Sequence, residues 1–403
     1  TMNTAGQTIT RLTGPGLKDW TINGTLVVNN GAIYFGAYNA AYGITDYGTT
    51  TINNLLISGG ELNFDYDTYV TLVTGNVTQT GGLLYLGDRN NANQGDLELR
   101  GNWLRTGGTF GINHKAVFFR GNALQTISGI GTKFPYVEIN NPAGVHLLSG
   151  NDTIQDTLWL VNGNVTLGNN NLVIEGLNGQ TPTSTGAISG GSVNSFIVTD
   201  GTGVLEQRQL GPTVRNTSIL FPVGNNSTDY RPVTITNTGT TDDINARVFA
   251  TVWTGGNFGA GTQIPDYYVD RTWVLNETVS GASNLDLTFQ YAATDELTSF
   301  IRTNCAVVQH SGGVWNTTQP YGPVAGGNPY TRTTSGITAL GNFSIESELI
   351  PLPFDLLDFD AVLKNDAGFI YWQTTNEVNV DQYELERSTD ALNFSTIAVV
   401  PSM

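Results

Sequence analysis

The chain is poor in the residues that most functional classes need. Its 403 residues contain one cysteine, Cys305, so no internal disulfide can form and a cross-linked framework is excluded. Lysine occurs only at Lys18, Lys115, Lys133 and Lys364. With 17 Lys and Arg against 34 Asp and Glu, the net charge is −17. Binding to nucleic acid needs a basic footprint that neutralises phosphates, so nucleic acid is not expected as a partner. The same deficit argues against docking on anionic lipid, and no segment approaches the roughly 20 apolar residues of a membrane span. No stretch carries the apolar period of a helix. The histidines, His114, His146 and His310, fall one per region and never at the spacing of zinc ligands.

What is abundant is glycine, 49 residues of it, set among Thr, Asn, Val and Leu. From Gly24 to Gly176 short apolar pairs recur two apart: Leu26/Val28, Ile33/Phe35, Leu55/Ile57, Leu62/Phe64, Leu84/Leu86, Leu97/Leu99, Val137/Ile139, Val145/Leu147, Leu158/Leu160, Val165/Leu167 and Leu172/Ile174. Spacing of two places both members on one side of a strand. Asn30-Gly31, Gly59-Gly60, Gly81-Gly82, Gly107-Gly108 and Asn162-Gly163 separate them, at positions where the backbone is expected to need positive φ. Gly60 to Gly82 is 22 residues and Gly82 to Gly108 is 26. A unit of that size with one apolar side cannot bury it alone and must stack on its neighbours. The expected fold is all-β, opening with a parallel β-solenoid, right-handed and β-helix-like, over 1–212.

Near Gly211-Pro212 the rhythm changes. Strand candidates lengthen over 218–223, 230–236, 244–252, 267–275, 285–291, 305–310, 313–317, 331–334 and 341–345, a pattern that suggests a β-sandwich over 213–349. The alternate prolines of Ile350-Pro351-Leu352-Pro353 make a stiff linker over 350–354. Four further strands follow over 355–403, around Trp372 and Tyr383.

That last stretch resembles a known family. Leu352, Pro353, Leu356 and Phe359, then Trp372, Thr374, Glu377 and Asn379, then Tyr383, Leu385, Glu386, Arg387, Ser388, Asp390 and Phe394 match the motifs of the fibronectin type III-like module near the C-terminal ends of Bacteroidetes surface and secreted proteins. Phe221-Pro222-Val223-Gly224, Tyr230-Arg231-Pro232 and Arg271-Thr272-Trp273 are similar to phrases that follow solenoid repeats in large surface proteins of that phylum. The resemblance implies export by the type IX secretion system and an extracellular or cell-surface location. In that family the module continues with further strands, so the polypeptide is expected to run on past Met403 or to be completed by another chain. The N-terminal residues lack the charged and apolar regions of a signal peptide, so a leader is expected to have been cleaved or the chain to be a fragment.

Chemistry was sought against this background. β-Helices host polysaccharide lyases and hydrolases, which need clustered carboxylates with a basic residue or calcium nearby. Asp65 and Asp67, two apart beside Glu61, are the best candidates for an acid pair or a calcium site, with Tyr66 and Tyr69 next to them. Arg89, Arg100, Arg105 and Arg120 read as scattered. Asp355, Asp358 and Asp360 beside Asp366 are either a second calcium site or outward carboxylates alternating on a strand. Tyr38, Tyr42 and Tyr47 sit in an insertion between rungs, where rings either stack on sugars, make a subunit contact or cover the solenoid side. Asp152-Thr153-Ile154 and Asp156-Thr157-Leu158 resemble the O-glycosylation acceptor of the same phylum. Cys305 reads as a buried strand thiol. The expectation is a non-enzymatic structural and adhesive segment with no cofactor beyond calcium, whose partners are copies of itself in an oligomer or filament, and surface glycans. The alternative is a carbohydrate-binding or carbohydrate-active β-helix protein.

Overall fold

A computed structural model of the protein describes residues 2–3, 8–10, 20–29, 31–34, 49–64, 70–86, 96–111, 115–178, 181–182, 188–348, 355–365, 367–375, 377 and 380–402. These are all-β, with one 3-10 turn at Ala293–Asp295. The chain divides into two compact units, Thr1–Ser347 and Glu348–Met403.

The first unit opens as a parallel β-solenoid with three ladders. On the first face Leu97 pairs with Val117, Val117 with Val137, Val137 with Leu158 and Leu158 with Ile188. On the second, Leu55 pairs with Val77, Val77 with Trp103, Trp103 with Ile127 and Ile127 with Leu147. On the third, Ile33 pairs with Leu62 and Leu62 with Leu84, and further along Phe134 pairs with Ile154 and Ile154 with Ile174. The period-two residues are the inward ones: Leu26, Val28, Leu55, Ile57, Leu62, Leu97, Leu99, Val137 and Ile139 are at most 2% exposed. Stacking rungs removes those side chains from water, as no single rung can.

Two devices set the corners. Gly60, Gly82 and Gly108 have φ of +67°, +68° and +77°. A Cβ on Gly82 would lie 2.6 Å from the Gly59 carbonyl carbon, and one on Gly108 2.5 Å from the Gly81 oxygen. The rungs turn so closely over one another that only glycine fits. At the corner between the first and second faces an asparagine ladder runs along the solenoid. The Asn76 N–H donates to Asn54 Oδ1 at 2.8 Å, the Asn102 N–H to Asn76 Oδ1 at 2.8 Å and the Thr126 N–H to Asn102 Oδ1 at 2.9 Å. Each side chain satisfies a backbone donor that the turn takes out of the sheet. Inside, Trp103 packs edge-on against Phe110 and Phe134, each at 5.2 Å between ring centroids. Its indole N–H donates to Thr132 Oγ1 at 3.1 Å.

The parallel pairing passes the position expected to end it. Ile197 pairs in parallel with Val223, beyond residue 212. Leu205–Leu210 pairs in parallel with Leu172–Ile174 on one edge and antiparallel with Asp242–Ala250 on the other. One sheet therefore leaves the solenoid and continues through Arg271–Glu277, Asn342–Ser347, Cys305–Ser311 and Val314–Thr317. A second antiparallel sheet, Ile219–Phe221, Val233–Asn237, Leu285–Tyr291 and Tyr330–Ile337, packs on it. Trp273 and Phe289, one from each sheet, lie 5.0 Å apart, and Phe289 is 5.7 Å from Phe343. This sandwich-like layer and the solenoid share one apolar core.

The second unit consists of two hairpins. Asp355–Lys364 pairs with Ala367–Thr375, and Gln382–Ser388 with Phe394–Pro401. Trp372 meets Tyr383 edge-on at 5.8 Å between the hairpins. The Thr374 hydroxyl donates to Glu377. Asp390 Oδ1 accepts the N–H groups of Leu392 and Asn393 at 3.0 and 2.8 Å, closing the second turn.

Candidate functional site

The residues that sequence reasoning singled out as sites, Asp65, Tyr66, Asp67, Tyr69, Tyr38, Tyr42 and Tyr47, all lie outside the described residues, as do His114, Arg89 and Asp366. Among the described residues no group of three or more His, Cys, Asp or Glu is placed to hold a metal. Asp358 and Asp360 are exposed on their strand, and the Tyr371 hydroxyl donates to Asp360 Oδ2 at 2.9 Å.

The organised chemistry is on the outside of the first face. Parallel register puts Glu98, Phe118, Glu138, Trp159 and Ser189 in one outward row, each beside the next. Arg100 and Arg120 join it and are not scattered, because residues far apart in sequence become neighbours when rungs stack. Arg120 reaches Glu138 with two bonds, Nε to Oε1 at 2.7 Å and Nη2 to Oε2 at 2.9 Å, and Glu98 Oε2 with Nη1 at 3.0 Å. Its guanidinium lies over the Phe118 ring, 4.4 Å from the centroid. Hydrogen bonding to Glu138 pushes the Arg120 pKa up. Glu138 is thereby bound by Arg120, while Glu98 is shared between Arg120 and Arg100. Beside the row lies an aromatic pair: Tyr136 and Trp159 stack with centroids 5.5 Å apart and planes 11° from parallel. Burial and then the nearby Asp156 carboxylate raise the Tyr136 hydroxyl to about 12, so it stays a donor at neutral pH.

A second ionic ladder follows the third face into the sandwich-like layer. Lys133 Nζ is 2.7 Å from Glu175, Arg208 lies 3.3 Å from Glu175 and 2.8 Å from Glu206, and it approaches Asp243 at 3.6 Å. Below it Asp152 is inside the solenoid, 1% exposed. Its Oδ1 accepts the Thr132 N–H at 2.7 Å and its Oδ2 has no hydrogen-bond partner among the described residues. Burial pushes this carboxyl up to about 7 against the opposing pull of the Thr132 N–H and Arg105.

The phrases singled out in the middle domain converge on a buried square of charge. Arg271 donates to both oxygens of Asp229, at 3.0 and 2.9 Å, and Arg231 donates to both oxygens of Asp295, while the cross pairs Arg231–Asp229 and Arg271–Asp295 are ion pairs at 2.9 and 2.8 Å. The four side chains are between 1% and 14% exposed. The Trp273 indole N–H donates to the Arg231 carbonyl at 2.9 Å, tying the square to the core. With each charge paired and hydrogen-bonded, the cluster is a structural staple. Cys305 is fully buried, and burial raises its thiol to about 11, so it is held as the neutral thiol at neutral pH.

Sequence reasoning missed Trp159, Tyr136 and the charge square. The available signal was charge in an uncharged setting: Asp229 and Arg231 flank Tyr230, and Asp270 precedes Arg271, in a chain only 13% charged. The class that the fold defines is an all-β protein led by a β-solenoid. Comparison with family models, curated proteins and solved structures gives no match. Among the described residues no helix is long and apolar enough to cross a membrane.

Proposed function

We propose that this chain is an extracellular structural and adhesive segment of a larger bacterial surface protein that associates with copies of itself. The observation that carries the reading is the apolar surface of the C-terminal hairpins. Leu356, Phe359, Leu363, Phe369, Phe394 and Val399 are 54%, 56%, 79%, 57%, 59% and 51% exposed. Open apolar sheet surface of this kind marks an association site. The solenoid supports the reading from the other side, because its cross-rung hydrogen bonds and ion pairs make a stiff spacer. On this reading the hairpins belong to a fibronectin type III-like module, the two packed antiparallel sheets are a β-sandwich, and the resemblance to Bacteroidetes surface proteins adds type IX secretion and a cell-surface location. No catalytic step is assigned. A carbohydrate-active role would rest on Asp65 and Asp67, and so would a calcium requirement.

The test is the mass of the purified particle by light scattering, with and without calcium, beside its negative-stain image. A discrete multimer or a fibre is expected. A monomer under both conditions overturns the reading.

A further inference from the structure

One corner of the solenoid brings several neutral polar groups together around a groove. Where the first face turns into the second, an open groove of about 590 Å3 is lined by Asn162, Asn164, Thr166, His146, Asn194 and Thr228. Its walls are built. Asn164 Nδ2 donates to the Ser227 carbonyl at 2.9 Å and its Oδ1 accepts the Phe196 N–H at 3.1 Å, while the Thr228 N–H donates to Asn226 Oδ1 at 3.0 Å. By contrast, the side-chain amides of Asn162 and Asn194 and the Thr166 hydroxyl bond to no other described residue. No Asp, Glu, Lys or Arg is among the described residues lining the groove, in a chain whose net charge is −17.

An apolar strip leads into this groove. Val161 is 55% exposed, directly before Asn162, and Val193 at the rim is 69% exposed. Trp159, two residues before Val161, stacks on Tyr136. The next rung sets Ser189, a small and exposed residue, beside Trp159 in register. The indole N–H bonds to no other described residue. A stacking ring that adjoins a groove of free amides and a hydroxyl, lined by no charged described residue, matches the two kinds of surface on a sugar ring: an apolar C–H face and an edge of neutral hydroxyls.

We infer that the Trp159–Val161 strip and the adjoining groove bind a neutral glycan chain, one sugar lying on Trp159 and the next reading its hydroxyls against Asn162 and Asn194. An extended peptide is a poorer fit, because Val165–Thr166 is already paired with Val145–His146 on one edge and Ile197–Val198 on the other, leaving no free strand edge. An acidic polysaccharide meets the carboxylate of Glu138 in the same row and the negative field of the chain. The inference rests on the adhesive reading above and names what that adhesion would hold.

The test is calorimetric titration of the full chain with neutral gluco-, manno- and galacto-oligosaccharides, and with oligogalacturonate as the anionic probe. Binding of at least one neutral series is expected, weakened tenfold or more by Trp159→Ala and by Asn162→Ala. Val193→Arg, at an exposed rim position where folding is insensitive, is expected to weaken it as well. Thermal melts of each variant separate lost binding from lost structure. No neutral binding, tighter binding of oligogalacturonate, or native affinity in folded Val193→Arg and Asn162→Ala chains overturns the inference. Light scattering on the Val193→Arg chain keeps the two readings apart: it is expected to retain the native particle mass whether or not it binds sugar.

Discussion

Leu285–Tyr291 and Ala367–Thr375 are both strands that carry apolar residues two apart on one face, and those faces end in opposite environments. In the first, Leu285, Leu287, Phe289 and Tyr291 are all 0% exposed, with Phe289 against Trp273 and Phe343 of the facing sheet. In the second, Phe369 and Tyr371 remain 57% and 48% exposed. Alternation tells which residues share a face; it does not tell what covers that face. Coverage comes from a second layer, which Thr1–Ser347 contains and the described residues of Glu348–Met403 do not.

The largest expected effect lies at the covered face. Trp273→Ala removes a fully buried ring and the bond to Arg231, and should cost the first unit about 3–5 kcal/mol. Trp372→Ala should leave that unit's calorimetric transition in place, and a shared loss would break the contrast between the units. Arg231→Leu leaves Asp229 and Asp295 with one cation between them, and should destabilise by about 3 kcal/mol in denaturant titration. Asp152 sharpens the contrast through pH. Its folded pKa is raised, so between about pH 4 and pH 7 the folded chain holds a proton that the unfolded chain has released. Stability should therefore fall as pH rises through that window, on the order of 1–3 kcal/mol, and Asp152→Asn should flatten the slope. The smallest effect belongs to the bare face: Leu363→Ser, at a side chain 79% exposed, should change stability by less than about 0.5 kcal/mol. The same variant should lower the particle mass, if that face is where copies meet.

Strands were legible because the period of two and the glycine punctuation are local. The sequence expectation of a strand at 285–291 matches Leu285–Tyr291, and positive φ holds at Gly60, Gly82, Gly108 and Gly163. The asparagine ladder was not legible, since Asn54, Asn76 and Asn102 are separated by 22 and 26 residues and become neighbours only after the rungs are set. Distance hid the charge square for the same reason: Arg231 finds Asp295 across 64 residues and Arg271 finds Asp229 across 42. The change of rhythm near Gly211-Pro212 was visible. The double pairing of Leu205–Leu210 was not, because a strand carries no local mark of which partner lies on each edge. The site residues read from sequence fall outside the described residues, and Trp159 was not singled out because the ring it stacks on, Tyr136, belongs to the neighbouring rung.

The asparagine ladder has a consequence for how such a molecule can change over generations. Asn76 connects only to the rungs on either side of it, taking one N–H and offering one, so a rung copied into that region brings its own connector and needs no change elsewhere. Leu205–Leu210 has no such freedom, because both of its edges are committed to partners of opposite direction. A duplicated rung would lengthen the solenoid from the middle, whereas a change at the junction has to suit two partners at once.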